Sequence, residues 1–183
     1  LTPLSKAFST ELANEIAYDC IQVHAGTGYM RDFPAERYYR DARITNIYEG
    51  TTQLQYIAAM GGIIQRQLDP LISEISHMPF EGRLRRLASS VDMAHDKLQK
   101  AVNYIDAVND SDYYELMTDK ICQMETAVFT SYLMLRDAHR DKQRESITEQ
   151  YIHLSIPEVN QHYETVVSGD VSMIDNHEDI LEL

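Results

Sequence analysis

From Leu84 to Ala138 the apolar residues recur in steps of three and four, and no other feature narrows the fold as much. In the stretch 83–110 they fall at 84, 87, 91, 94, 98, 101, 105 and 108. In the stretch 113–140 they fall at 114, 117, 121, 124, 128, 131/132, 135 and 138, with Ser131 giving way to Tyr132. This is the seam of a long helix that packs along its whole length. Between the two runs stands Asn109-Asp110-Ser111-Asp112, a cluster of turn and N-cap residues. The spacing therefore predicts an antiparallel helical hairpin with arms of about 25 residues, roughly 38 Å each at 1.5 Å per residue. A third amphipathic segment runs from about Ile147 to Val167, where Pro157 is expected to start, kink or split the helix. The tail from Asp170 holds five acids and no base, and is expected to fray unless Ile174, Ile180 and Leu181 find a groove. Neither a solenoid repeat nor a sustained strand alternation is present, so the expected class is all-α.

The region before Gln65 has another character. Five of the 7 glycines lie there, between Gly26 and Gly62. It carries 7 acids and 5 bases, a net of −2, whereas the rest carries 22 acids and 11 bases, a net of −11. Leu4, Phe8, Leu12, Ile16, Cys20 and Val23 fall near helical spacing, and the segment Gly26-Thr27-Gly28-Tyr29-Met30 should end that helix with a left-handed glycine cap. Pro34 opens a short helix through Arg43, residues 44–50 read as a loop, and Thr51 or Thr52 caps the helix that follows. The expected division is 1–65 and 66–183, a helical bundle followed by a second antiparallel helical hairpin or bundle.

Net charge is −13, which argues against nucleic acid or an anionic membrane as the main partner. Cys20 and Cys122 lie far apart, so neither a structural disulfide nor zinc is expected, and a reducing compartment follows. The histidines show no metal-type spacing, and the expected metal is none. The longest apolar run, 57–64, is too short to cross a bilayer. Leu1 stands first and no signal-peptide layout follows, so we expect a piece of a longer protein.

Two short stretches could carry chemistry. In 44–55 a single acid, Glu49, stands between Tyr48 and Gly50, just before a helix start. A carboxylate against the apolar wall of Ile47 and Tyr48 would have its charged form disfavoured, and its raised pKa would suit a general base. The helix N-terminus beyond it offers N–H donors to an anion or oxyanion. The same residue reads equally as an exposed loop acid that complements the helix dipole. In 22–28, Gly26 and Gly28 after a helix could form an N–H-lined concavity for phosphate, or simply a helix C-cap. His24 there reads as a packed or capping histidine. Arg37, Arg40, Asp41 and Arg43 read as structural ion pairs, and the tyrosines as core or interface residues.

Taken in order, the stretch CIQVHAGTGYMRDFPAERYYRDARITNIYEGTTQLQ, residues 20–55, resembles the C-terminal signature of the acyl-CoA dehydrogenase family. Three blocks carry the resemblance: a Q-x-x-G-G-x-G-like turn, then P-x-E-R-x-x-R-D-A-R-I, then I-Y-E-G-T-x-x-I-Q. Ala25 stands where the family more usually has the first glycine of the turn. The resemblance covers about residues 1 to 65. It implies that Glu49 removes the α-proton of an acyl-CoA thioester while the β-hydrogen leaves as hydride to FAD, giving the trans-2-enoyl-CoA. It implies that the Glu49 backbone N–H helps bind the thioester oxygen, and that Tyr48 and Gly50 line the acyl pocket. Thr51 and Gln53 match positions that contact FAD, and Gln22 and Gly26 match positions that contact its adenosine diphosphate across a subunit interface. The implied partners are the acyl-CoA substrate, electron-transfer flavoprotein and further copies of the chain, as dimer or tetramer.

Family members also need an N-terminal helical domain and a middle β-domain, so this chain alone is expected to bind FAD poorly and catalyse nothing. Residues 66–183 resemble, more loosely, the helical extensions of longer members. The expected location is the bacterial cytoplasm, with the mitochondrial matrix as the alternative. An acyl-CoA oxidase and a non-catalytic helical oligomerisation module are the rival readings. Retention of Glu49 and Gln22 speaks against the second.

Overall fold

A computed structural model describes residues 1–181, and among them the regular structure is entirely helical. Two compact units divide it, Leu1–Ala59 and the residues from Met60 onward, with the division inside the third helix.

The first unit begins with α1, Thr2–Tyr29, which has Pro3 in its first turn, where the missing N–H costs nothing. The helix is broken at Ala25, whose φ of 52° and ψ of −139° are not helical. The spacing predicts a left-handed cap on glycine; the structure places the positive φ on Ala25 and re-enters a helical turn through Gly28. α2, Ala35–Arg43, packs on α1, and a 3-10 turn, Ile44–Asn46, leads to the loop before α3, Thr52–Ile64. The buried face of α1 is made of Leu4, Ala7 and Ala17, so the backbones approach closely over small side chains. Asn14 ties the two helices by donating to the Ala42 carbonyl at 3.0 Å. The apolar row read from the sequence is buried only at Leu4; Phe8, Leu12, Ile16 and Val23 are exposed. Helical spacing fixed which residues share a face, but α2 covers a neighbouring face. Among Arg37, Arg40, Asp41 and Arg43 the expected ion-pair ladder reduces to Arg40 with Glu36, at 2.7 Å. Arg37 lies over the Tyr38 ring and Arg43 donates to Asn46.

In the second unit, α4, Asp69–Ser76, precedes the predicted hairpin, α5, Gly82–Val108, and α6, Ser111–Arg140. Asn109 takes the left-handed conformation that ends α5. Asp110 caps α6 by accepting from the Tyr113 N–H at 2.8 Å. The seam is buried from Leu84 to Ile105, and from Met117 to Ala138 on the second arm. At the hairpin end the register differs from expectation. Val108 is 39% exposed, and Tyr113 rather than Tyr114 is fully buried, with its hydroxyl donating to the Val166 carbonyl at 2.6 Å. The third segment is α7, Glu145–Val167, which packs on both arms and runs through Pro157 without starting or splitting there. Pro157 is exposed, so the one backbone bond it cannot donate is lost on the solvent side. With α4 and α7 both against it, α6 buries a second row, Thr118, Cys122, Glu125 and Phe129. The tail forms two short helices, α8, Ser172–Asp175, and α9, His177–Leu181; Ile180 and Leu181 are exposed rather than seated in a groove. The last two residues of the tail, 182 and 183, lie outside the described residues. Among the described residues, no helix is long and apolar enough to cross a membrane.

Candidate active-site loop and nucleotide-side turn

Chain sense changes sharply between α2 and α3, and the loop there is held from three sides. Glu49 and Gly50 take positive φ in succession, 54° and 94°. At Gly50 a side chain is excluded twice over, because an added Cβ would sit 2.8 Å from Gln55 Nε2 and the backbone lies in the region that favours glycine. Lys6 Nζ donates to the Gly50 carbonyl at 2.7 Å and sits 5.9 Å from the Tyr48 ring centroid. Gln55 Nε2 donates to the Glu49 carbonyl at 2.8 Å. On the other flank, the Glu11 carboxylate accepts from Asn46 Nδ2 at 3.1 Å and from the Thr52 hydroxyl. Thr51 supplies the cap of α3, its Oγ1 accepting from the Leu54 N–H at 3.5 Å.

These contacts consume the carbonyls of residues 49 and 50 and leave the Glu49 side chain pointing outward and exposed. Its N–H makes no hydrogen bond among the described residues. Ile47 and Tyr48 flank it at 44% and 48% exposure, so within this chain the apolar wall is present but open. Thr51 and Gln53 are exposed beside it at the start of α3. Ile44, Leu54 and Ile57 extend this uncovered apolar surface.

The break in α1 is locally over-determined. The Thr27 hydroxyl donates to the His24 carbonyl at 2.7 Å, and the His24 ring packs on Phe33 at 5.1 Å between centroids. Gly28 is the residue that packing requires: a Cβ there would lie 2.7 Å from His24 Cβ and 2.8 Å from the Ile21 carbonyl oxygen. Gly26 is different. Its φ is not positive, and a Cβ would meet nothing within 4 Å. Gln22 is exposed one turn before it. Sequence reading missed the open hollow of about 570 Å³ nearby, lined among others by Ile21, Tyr29, Arg31, Tyr39 and Arg40. Its walls come from α1, the turn and α2 together, and no periodicity announces such a meeting.

Comparison with known proteins finds two family matches along the chain. Residues 1–64 match the family described as acyl-CoA dehydrogenase, C-terminal domain, and residues 68–173 match the family described as acyl-CoA dehydrogenase C terminal. A probable acyl-CoA dehydrogenase, fadE25, of Mycobacterium leprae is 42% identical over 65 residues, 36% of this chain and 17% of that protein. The mitochondrial short-chain specific acyl-CoA dehydrogenase of Rattus norvegicus is 45% identical over 62 residues, 34% of this chain and 15% of that protein. The caffeyl-CoA reductase-Etf complex subunit CarC of Acetobacterium woodii is 38% identical over 63 residues, 34% of this chain and 17% of that protein. An acyl-CoA dehydrogenase from Bacillus anthracis, solved complexed with FAD, shares the fold with a TM-score of 0.76 at 18% identity, over 98% of this chain and 35% of that one. The second match spans the greater part of the chain, so the chain belongs to the acyl-CoA dehydrogenase family. It spans only about a sixth of the length of the curated relatives it matches.

Proposed function

We propose that this chain is the C-terminal portion of a flavoprotein that oxidises acyl-CoA thioesters to trans-2-enoyl-CoA. One observation carries the reading: a loop clamped by Lys6, Glu11 and Gln55 presents the Glu49 carboxylate outward and leaves the Glu49 N–H without a partner among the described residues. A solvated surface acid needs no such scaffold. A base that must reach one substrate proton does.

Residues 1–65 then act as part of a catalytic helical domain, and 66–183 as an acidic helical extension of it. Glu49 takes the α-proton, and its N–H donates to the thioester oxygen, where negative charge develops as that proton leaves. Tyr48 and Gly50 flank the acyl chain, Gly50 because its bare backbone lets the chain approach. Thr51 and Gln53 offer an exposed hydroxyl and amide to the flavin side of FAD. Gln22 offers an amide to the adenosine diphosphate side, and Gly26 an open backbone where nothing among the described residues demands glycine. These donors fit a polar, phosphate-bearing cofactor, whose contribution when bound is to accept the β-hydrogen as hydride. The exposed Ile47, Leu54 and Ile57 are the surface a remaining domain of the full protein would cover, and that covering would dry the Glu49 carboxylate.

Electron-transfer flavoprotein is the proposed acceptor, supported by the Etf complex to which the Acetobacterium relative belongs. A homo-oligomer of two or four copies is proposed, because the Gln22 turn is matched to a partner subunit's cofactor. The bacterial cytoplasm is the proposed location. The test is Glu49→Gln in the full-length protein. Turnover should fall by at least about a thousandfold, in keeping with loss of a positioned base, while flavin absorbance stays with the protein. Full activity in the variant would sink the assignment. Running the wild type against both electron-transfer flavoprotein and oxygen separates dehydrogenase from oxidase. The chain of 183 residues by itself should turn over no acyl-CoA.

A further inference from the structure

α7 packs on both arms of the hairpin, and the face it turns away from them differs from the rest of the second unit. From Arg66 onward the chain holds 22 acids against 11 bases. Yet Ile147, Gln150, Leu154, Pro157 and Gln161, in steps of three and four, make one exposed stripe that carries no charge. Ile147 is 65% exposed and Leu154 is 71% exposed. They stand a heptad apart, the spacing of a seam along which one helix packs on another. Pro157 has no N–H to give, so the His153 carbonyl on this side of the helix lacks its helical donor. The acids of the first half of α7 are engaged elsewhere: Glu145 is only partly exposed, and Glu149 pairs with Arg83 at 3.2 Å. Loss of charge from one patch of a charged surface is what marks the centre of an interface.

Charge is also graded along the helix. Lys142 and Arg144 are exposed just before its start, and Glu158 and Glu164 are exposed in its second half. The contact of Arg144 with Asp141 is long, 3.7 Å, between side chains 61% and 52% exposed, so the guanidinium stays open to a further carboxylate.

We propose that α7 is a self-association surface, pairing antiparallel with α7 of a second copy of this chain about a two-fold axis at Leu154. Such an interface is isologous, so each residue meets the one equally far beyond the axis. Leu154 packs on its own counterpart, and Ile147 lies opposite Gln161 of the partner subunit. The basic start of each helix runs beside the acidic second half of the other. Parallel pairing would instead set Arg144 on Arg144 and Glu158 on Glu158, and like charges in register repel. A basic partner would be drawn to the carboxylate-rich faces of the unit, not to the stripe that lacks them. Two copies of so acidic a unit repel across those faces, which leaves the uncharged stripe as the place where they can meet. This surface is separate from the Gln22 turn, and its use does not depend on the reaction assigned to Glu49.

The experiment is sedimentation velocity of the full-length protein over a range of concentrations, joined to site-directed crosslinking. Leu154→Glu removes no buried contact but sets two carboxylates against each other at the axis. Self-association should weaken on the order of a hundredfold, and the mass of the assembly should halve where the wild type is still whole. Glu158→Lys should weaken it as well, and Arg144→Glu added to Glu158→Lys in the same chain should restore it, a rescue that a damaged fold would not show. Leu154→Cys should be captured as a covalent dimer by a short bismaleimide, whereas Met93→Cys, at a position 62% exposed on α5, should not. An unchanged mass in Leu154→Glu, no rescue by the paired charge reversal, or equal crosslinking at the two positions would each overturn the proposal. So would a Leu154→Cys thiol that neither crosslinks nor takes up a single maleimide, because another part of the full-length protein would then cover α7.

Discussion

Replacing Ala25 with glycine should stabilise the first unit, although it removes a methyl group and exposes backbone. Ala25 holds φ 52° and ψ −139°, a conformation that glycine adopts freely and an L-residue with a Cβ does not. Residues kept in such regions cost about 1–3 kcal/mol each. Glycine gives part of this back, because its unfolded chain has more states to lose, worth about 0.4–1 kcal/mol. Ala25 is exposed, so no packing is forfeited. The net expectation is a gain of about 1 kcal/mol, by difference of those two terms. Because the chain forms two units, a single melting curve would mix their transitions. Amide exchange read over α1 and α2 isolates the effect and should slow roughly fivefold for that energy. Ala25→Val gives the opposite arm: a β-branched side chain at positive φ should open the same amides further. Unchanged or faster exchange in the glycine variant, or full protection in the valine variant, would refute the account of the turn.

Two further outcomes concern side chains whose surroundings local spacing does not reveal. Tyr113→Phe removes the hydroxyl that donates to the Val166 carbonyl and leaves that carbonyl buried without its donor, so the second unit should lose about 1–2 kcal/mol in urea unfolding; a loss below a few tenths would mean water reaches the carbonyl. Burial, with the charges of Glu125 and Asp119 added, pushes the Cys122 thiol up to about 12, so iodoacetamide at pH 8 should label one thiol per folded chain, the half-buried Cys20. Equal labelling of both would show that α6 opens.

The amino-acid sequence by itself determines what is written in local spacing. The steps of three and four from Leu84 to Ala138 specify both arms of the hairpin, because a helix repeats every 3.6 residues wherever it sits. Asn109 and Asp110 announce the turn between them through their own short side chains. The order of the blocks around Gln22, Pro34 and Glu49 marks the candidate site, since the residues concerned lie within one stretch of about 35 positions. Tertiary structure decided the rest. Which face of α1 is covered depended on where α2 lies, so Phe8, Leu12, Ile16 and Val23 stayed exposed while Ala7 and Ala17 went inside. The positive φ fell on Ala25 because Gly28 had to close against His24 and Ile21. Glu125 reads in sequence as one more acid in an acidic helix. It became a buried carboxyl only because α6 is covered by α4 and α7 as well as α5, and contacts across such distances in the chain leave no period to read.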